Sequence, residues 1–517
     1  MTILDYKVLQ EQSEGVFTIR RDYSLDNKVL KIPRDLVMRF EGGSLNNGTI
    51  VFDNTLLENV SPHSIDATAK GTVSNKVVKM SWFADVNQVS IDFADQTIEY
   101  DEDAVITSTV VVPGNDIVYD GKGNNFTCRV TFFSIKGKSN ITIQNFNATA
   151  VEEEIDFQTM PSTVANVVGI NINNNTLNGF RVGISLNNDE AEAYSVSDSI
   201  VANNYIENCK GTDAGNGYGI HLAHAVNCTV SGNTIKNCDR HSIYHAYGDG
   251  NKILNNAILN HRMDYSSNLA LRAALVISRK STNVLAKGNS FVNCYNVCIL
   301  VYAFPHNLDS SDAKNFPGKY GCCENIAIED NTFVMSGVNV DLGLPSIMLG
   351  YLYAENTPYI DFVDCYVNNV SIKGNYFFKV STENLECIRI DQCRKPTIEE
   401  NNFQFNAPST GHQKVLINIR SGFKNDEEMK AVIQTNNFSA VNNISNFRVY
   451  CIGNLEPLIN SLFDITVSEN RFVNQYNGNQ LNYMVYLPTN IISMPSFNLH
   501  LQTEGIRTFT NQERKEL

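Results

Sequence analysis

Asn227-Cys228-Thr229-Val230-Ser231-Gly232-Asn233-Thr234-Ile235-Lys236-Asn237-Cys238 is the stretch that decides the fold. Small, apolar and polar residues alternate from Cys228 to Ser231, which is the period of a strand. An asparagine then stands between Val230 and Ile235, with one variable residue before the second apolar position. The same arrangement returns around Asn175, Asn204, Asn256, Asn289, Asn331, Asn375, Asn401, Asn436 and Asn470. Neighbouring copies are as close as 23 residues (Asn233 to Asn256) and as far apart as 44 (Asn331 to Asn375). A helical solenoid needs a period of about 3.6 over each unit, and a propeller blade needs four strands in about 40 residues or more. The tighter units hold two or three short strands and their turns. That suits one coil of a parallel β-helix, with the next coil about 4.8 Å away. The expected class is therefore all-β, a parallel β-helix solenoid closed by N- and C-terminal caps.

Stacked coils place equivalent residues in columns. Two positions after each asparagine stand Leu177, Ile206, Ile235, Ile258, Phe291, Phe333, Phe377, Phe403, Phe438 and Phe472. These are expected to fill the interior. The asparagines are expected to form a ladder, each amide bonding the coils above and below. Asn208, Asn237, Asn260 and Asn293 make a further column, and Cys209, Cys238, His261 and Cys294 another. The wider spacing after Asn289 is read as loops inserted at about 303–325, 335–365 and 405–430. Loops on one side of a solenoid often form its binding face.

The asparagine repeats, Ile32-Pro33-Arg34-Asp35, Phe40-Glu41-Gly42-Gly43-Ser44-Leu45-Asn46-Asn47-Gly48-Thr49-Ile50 and Val111-Val112-Pro113-Gly114 carry a resemblance. Over about residues 30–475 the chain resembles the pectate-lyase-like superfamily of single-stranded right-handed parallel β-helices. Within it, the chain is most similar to tailspike and tail-fibre proteins of phages infecting gut Bacteroides-type bacteria. The resemblance implies a homotrimer on a virion tail. It would act outside the cell, touch other tail proteins, and bind a bacterial surface polysaccharide, with depolymerase activity as a further expectation. One such scaffold hosts lyases, hydrolases, epimerases and binders, so chemistry must come from the site. A secreted bacterial polysaccharide lyase or glycoside hydrolase fits the same residues, and so does a non-catalytic structural or adhesion solenoid.

Composition narrows the partners. The 517 residues carry 40 basic and 55 acidic side chains, a net charge of −15, which argues against nucleic acid. No run of about 18 apolar residues suggests a membrane span. Met1-Thr2-Ile3-Leu4-Asp5-Tyr6-Lys7 lacks the basic start and apolar core of a signal peptide. This fits assembly in a host cytoplasm and release by lysis, an intracellular role, or a signal already removed. Twelve cysteines are too dilute for a disulfide framework, and Cys322-Cys323 has no metal-ligand spacing. No metal or other cofactor is expected.

Along the chain, residues 1–80 read as an N-terminal cap or attachment region, 81–475 as the β-helix and 476–517 as a C-terminal cap or trimer contact. Trp82, the single tryptophan, is expected to plug the end of the core.

Titratable rings gather in one place. Five of the nine histidines lie between 221 and 261. Matching coils by their asparagines puts His221 over Tyr244, His224 over Tyr247, and Ser185 one coil earlier. Such a face suits sugars, since rings stack on C–H groups while Arg and His bond hydroxyls and carboxylates. His221, Tyr244, His245, Arg240 and Asp239 are the candidate catalytic groups. His224, Tyr247, His261, Arg262, Tyr265, Arg272 and Tyr302 are the candidate substrate-binding ones. A uronate lyase needs a base and a cation that neutralises the carboxylate. A glycosidase needs two carboxylates, about 5.5 Å apart for retention or about 6.5–9.5 Å for inversion, and Asp239, Asp249 and Asp264 are the acids at hand. The residues alone do not choose between lyase, hydrolase and binder. A second candidate surface is Tyr302, His306, Tyr320, Tyr351, Tyr353 and Tyr359.

Overall fold

The structure, a computed structural model, describes residues 2–4, 6, 9, 15–161, 166–187, 196–211, 215–261, 273–294, 297–303, 322–335, 344–350, 367–380, 385–391, 393–406, 414–419, 428–440, 449–453, 462–474, 485–486 and 498–502. Among these, three long sheets of 15, 13 and 13 strands run side by side. Each coil gives one strand to each sheet. Thr229–Ser231 belongs to sheet I, Thr234–Lys236 to sheet II and His241–Ala246 to sheet III. All three pair in parallel with the next coil, through Val230 with Ile253, Ile235 with Ile258, and Ile243 with Leu275. The chain is a right-handed parallel β-helix.

The asparagines sit at the corner between sheets I and II and are buried. Asn204 shows the pattern. Its backbone N–H and its Nδ2 both donate to Asn233 Oδ1, at 3.0 and 2.9 Å, and Nδ2 also donates to Ile172 O at 2.9 Å. The amide-to-amide link repeats from Asn175 through Asn470. Asparagine suits the corner because its side chain is a donor and an acceptor at once, and a tight turn leaves both kinds of backbone group without a sheet partner.

Two residues on, the interior column changes from Leu177, Ile206, Ile235 and Ile258 to stacked phenylalanines. Ring centroids are 4.7–5.1 Å apart along Phe291, Phe333, Phe377, Phe403 and Phe438. Asn208, Asn237, Asn260 and Asn293 hold left-handed turns, with φ of 57°, 54°, 47° and 50°. Asparagine tolerates that conformation better than most residues.

Before the long sheets, strands from Thr2 to Ile91 form a separate eight-stranded sheet built around Leu45–Glu58. Sheet I opens at Val77–Lys79, so the two layers interleave near the expected boundary at residue 80. Trp82 packs half-buried against the core at this end. At the other end, Val485–Tyr486 and Asn498–Gln502 extend sheets III and I. Most of the expected insertions at 303–325, 335–365 and 405–430 lies outside the described residues.

Candidate functional site

The outer face of sheet III differs in character from the other columns. Its register runs Ser185, His221, Tyr244, Val276, Leu300, Met348, Arg389, Asn418. The stacking of His221 on Tyr244 and of Ser185 below them is as the asparagine spacing requires. A second column runs Tyr218, His241, two residues before the core residues Ile220 and Ile243. Tyr218 and Ile220 have like parity, yet Tyr218 packs on outward rings while Ile220 is interior. The chain turns over at Gly219, where a Cβ would stand 2.6 Å from Ser242 O.

Four rings therefore meet. Tyr218 stacks on Tyr244 with centroids 5.2 Å apart and planes at 12°. His221 lies edge-on to both, at 5.3 Å from Tyr218 and 5.4 Å from Tyr244. His241 closes the set, 5.1 Å from Tyr218 and 5.3 Å from Tyr244. The Arg240 guanidinium lies over Tyr218, 5.8 Å from its centroid. Across the face a second stack forms. His224 lies flat on Tyr247 at 4.6 Å, and Arg279 covers Tyr247 at 5.3 Å while donating from Nη1 to its hydroxyl at 3.0 Å. His224, Tyr247 and Arg279 all hold left-handed turns, which sets them in one line at the strand ends.

Exposure sorts these groups. Tyr218 and Tyr244 keep only 4% and 9% of their surface, so they form the floor. His221, Arg240 and Arg279 are half-buried and form the more accessible part of the face. Burial raises the Tyr218 phenol pKa, Tyr244 adds to this, and Arg240 and Arg279 only partly offset it. Tyr218 therefore holds its proton at neutral pH. Burial opposes the Arg279 charge, but the oxygens of Tyr244, Tyr247 and Tyr302 outweigh it and raise its pKa. Burial depresses His241 well below the usual histidine range. Its Nδ1 lies 2.8 Å from Ala273 O, which can only accept. The neutral ring thus carries its proton on Nδ1 and a lone pair on Nε2.

Several expected members do not join the face. His245 is corrected: it stands in register with Leu222 and Ile277 in the interior and is fully buried. Asn251 Nδ2 donates to its Nε2 at 2.9 Å, Ser281 Oγ lies 3.1 Å from Nδ1, and burial lowers its pKa to about 4. His261 is corrected likewise, being fully buried in the cysteine column with Nδ1 3.2 Å from Ser242 Oγ. Both sit where strand parity or the corner turns a side chain inward. Asp239 stands at the corner before Arg240 and accepts from Gly211 N at 3.1 Å. Tyr302, by contrast, joins the face: it stands in register with Ser278, packs in one cluster with Tyr218, Tyr244 and Tyr247, and its oxygen acts on Arg279. Arg262, Tyr265 and Arg272 lie outside the described residues, as do Asp264, His306, Tyr320, Tyr351, Tyr353 and Tyr359.

Tyr218, His241 and Arg279 are the members that sequence reasoning missed. The 23-residue shift that aligns His221 with Tyr244 also aligns Tyr218 with His241, so that pair was within reach. Arg279 was hidden because the turn there holds an extra residue. Arg279 and Lys280 both have positive φ, and the asparagine count slips by one.

The carboxylates nearest in sequence are committed elsewhere. Asp249 accepts from Thr282 Oγ1 at 2.6 Å and from Asn283 Nδ2 at 2.7 Å, stapling a turn. Further down the face, Glu386 pairs with Arg389 and accepts from Asn418 Nδ2 at 2.7 Å.

Residues 122–343 match a family described as periplasmic copper-binding protein (NosD). No curated protein matches the chain significantly. Among solved structures, the chain is similar to DFA-IIIase from Arthrobacter chlorophenolicus A6 without its lid in complex with GF2. That match has 11% identity, 75% of this chain, 91% of that one and a TM-score of 0.44. It is also similar to PfbA, a surface adhesin of Streptococcus pneumoniae, at 13% identity over 78% of this chain and 85% of that one, with a TM-score of 0.35. A mutant of the periplasmic alginate epimerase AlgG matches at 10% identity over 97% of this chain and 81% of that one, with a TM-score of 0.37. At these values none of the three bears on the chemistry of this chain.

The copper in the family description can be tested against the donors present. Among the described residues, no three His, Cys, Asp or Glu side chains converge. Burial raises the Cys228 thiol to about 11 and the Cys128 and Cys387 thiols to about 12, which disfavours the thiolate a soft metal needs. The described residues do not fit a copper centre.

Proposed function

We propose that the outer face of sheet III binds an anionic polysaccharide and cleaves it by β-elimination. The observation that carries this reading is the pair of half-buried guanidinium groups, Arg240 and Arg279, laid over tyrosine rings beside an accessible imidazole. Guanidinium forks match a uronate carboxylate in shape and charge, and tyrosine faces accept the C–H side of a sugar ring. With the carboxylate neutralised by an arginine, the adjacent carbon gives up its proton to His221. A C=C bond forms as the glycosidic C–O bond breaks, and the Tyr218 phenol protonates the departing oxygen. Hydrolysis is less well served, because Asp239 and Asp249 are engaged in turns rather than facing each other across the rings.

The resemblance of the N-terminal segments to phage tailspikes supports an extracellular role on a virion tail, as a homotrimer attached through residues 1–80, with 476–517 as the far cap. Light scattering on the intact protein tests the trimer. Incubation with polygalacturonate, alginate and hyaluronan, followed at 235 nm, tests the chemistry. The expected result is a rising absorbance on at least one of them that His221→Gln abolishes. Binding without any rise would leave a binder and remove the lyase, and release of reducing ends without a rise would turn the reading to hydrolysis.

A further inference from the structure

A pocket of about 390 Å³ lies beside the ring platform, lined by Ala150, Asn178, Gly179, Asn208, Lys210, Asn237 and Asp239. Its origin can be read in the columns. Gly179 N donates to Glu207 O and Asn208 N to Lys236 O, so Gly179, Asn208 and Asn237 occupy equivalent corner positions in three successive coils. All three have positive φ. Asn237 Nδ2 donates to Asn208 Oδ1 at 3.3 Å, but at Gly179 the column has no side chain, and Asn208 Nδ2 instead reaches Asn178 Oδ1 at 2.9 Å. Ala150 roofs the gap, and its O and Cβ would lie 3.3 and 3.9 Å from a Cβ at Gly179. One missing rung thus opens a hole in a carboxamide ladder.

The lining is hydroxyl-directed. Along the ladder Asn178 spends an acceptor, Asn237 a donor and Asn208 one of each, and every amide keeps further capacity for a ligand. Lys210 and Asp239 follow Cys209 and Cys238 in the same column, so their charges of opposite sign stack one coil apart. The pocket therefore offers no net charge, in contrast with the two guanidinium groups next door. Its volume is at the small end of the roughly 300–1,000 Å³ usual for ligand sites. Asp239 leads directly into Arg240 and His241, so pocket and platform are consecutive along one coil.

We infer that this pocket takes an uncharged, hydroxyl-rich sugar unit of the same chain whose anionic unit rests on the platform. The ligand class is then a heteropolysaccharide in which neutral and acidic sugars alternate. This rests on the function proposed above.

The test compares three probes on the full-length protein by calorimetry: hyaluronan oligosaccharides, which alternate acidic and neutral units, oligogalacturonate, which is acidic throughout, and dextran, which is neutral. The inference expects hyaluronan oligosaccharides to bind about tenfold more tightly than oligogalacturonate, a margin that two or three hydrogen bonds supply. Gly179→Asn restores the rung with a residue that tolerates the backbone angle and fills the hole. It should erase that margin and leave oligogalacturonate binding unchanged. Asn208→Gly keeps the left-handed turn, removes an amide, and should do the same if Gly179→Asn fails to fold. An unchanged margin in a folded variant, or equal binding of the two acidic probes to the unaltered protein, overturns the inference. Arg279→Met should weaken both acidic probes. If it weakens neither while Gly179→Asn still acts, the platform reading fails and the pocket stands. Failure of all three probes to bind counts against both.

Discussion

The corner between sheets I and II and the outer face of sheet III belong to the same coils, yet they are built on opposite principles. At the corner, every rung from Asn175 to Asn436 is the same residue making the same bonds to the next asparagine. On the outer face, each rung differs: Ser185, His221, Tyr244, Val276, Leu300, Met348 and Arg389 stand in one register. A column that repeats is answering a demand every coil makes, which is to satisfy a buried turn. A column that varies is free of that demand and can carry a ligand's shape. Repetition here marks stability, and variation marks the face proposed to bind a ligand.

The largest effect should come from breaking the repeating column. Asn233→Ala removes the acceptor of the Asn204 backbone N–H and the donor to Val201 O, both buried. At about 1–3 kcal/mol for each of the two orphaned groups, the loss should be about 2–6 kcal/mol, read as a lower denaturant midpoint. A surviving midpoint would mean that water or a shifted turn replaces the amide.

Acid should act next, through the interior rather than the face. His245 has its pKa lowered to about 4 from 6.5. The unfolded chain then binds the extra proton first. The stability contributed by neutral His245 is complete above about pH 6.5 and falls as pH drops toward 4, by about 3 kcal/mol at the lower end. His241 shifts the same way. Unfolding midpoints measured from pH 7 to 4 should decline, and His245→Gln should flatten part of that decline.

The variable column should respond differently. Tyr244→Phe is expected to keep the melting temperature nearly unchanged, because the hydroxyl's hydrogen bond from Ser278 Oγ is long, at 3.4 Å. It should weaken acidic-glycan binding by about tenfold, measured by calorimetry. The smallest effect belongs to the exposed pairs. Lys373, which bonds Glu399 at 3.1 Å and Glu400 at 3.0 Å, should give no measurable change in melting when replaced by Gln.

The contrast also explains what the sequence made legible. The asparagine spacing carried the fold because each coil must close the same corner, and it placed His221 on Tyr244 and His224 on Tyr247 correctly. It could not say which side of the wall a residue would face. His245 follows Tyr244 directly, and strand alternation sends it inward. His261 shares a column with cysteines, which was itself a sign of burial. Arg279 escaped because one additional turn residue breaks the count. The same 23-residue shift aligns Tyr218 with His241, but it does not report that Tyr218 faces outward while Ile220, of like parity, faces the core.

The most direct test is a structure of the protein with a bound acidic oligosaccharide, such as an oligogalacturonate. The account predicts a sugar ring against Tyr218 and Tyr244, with its carboxylate within hydrogen-bonding distance of Arg240 or Arg279. An oligosaccharide seated on another face, with these four side chains untouched, would contradict it.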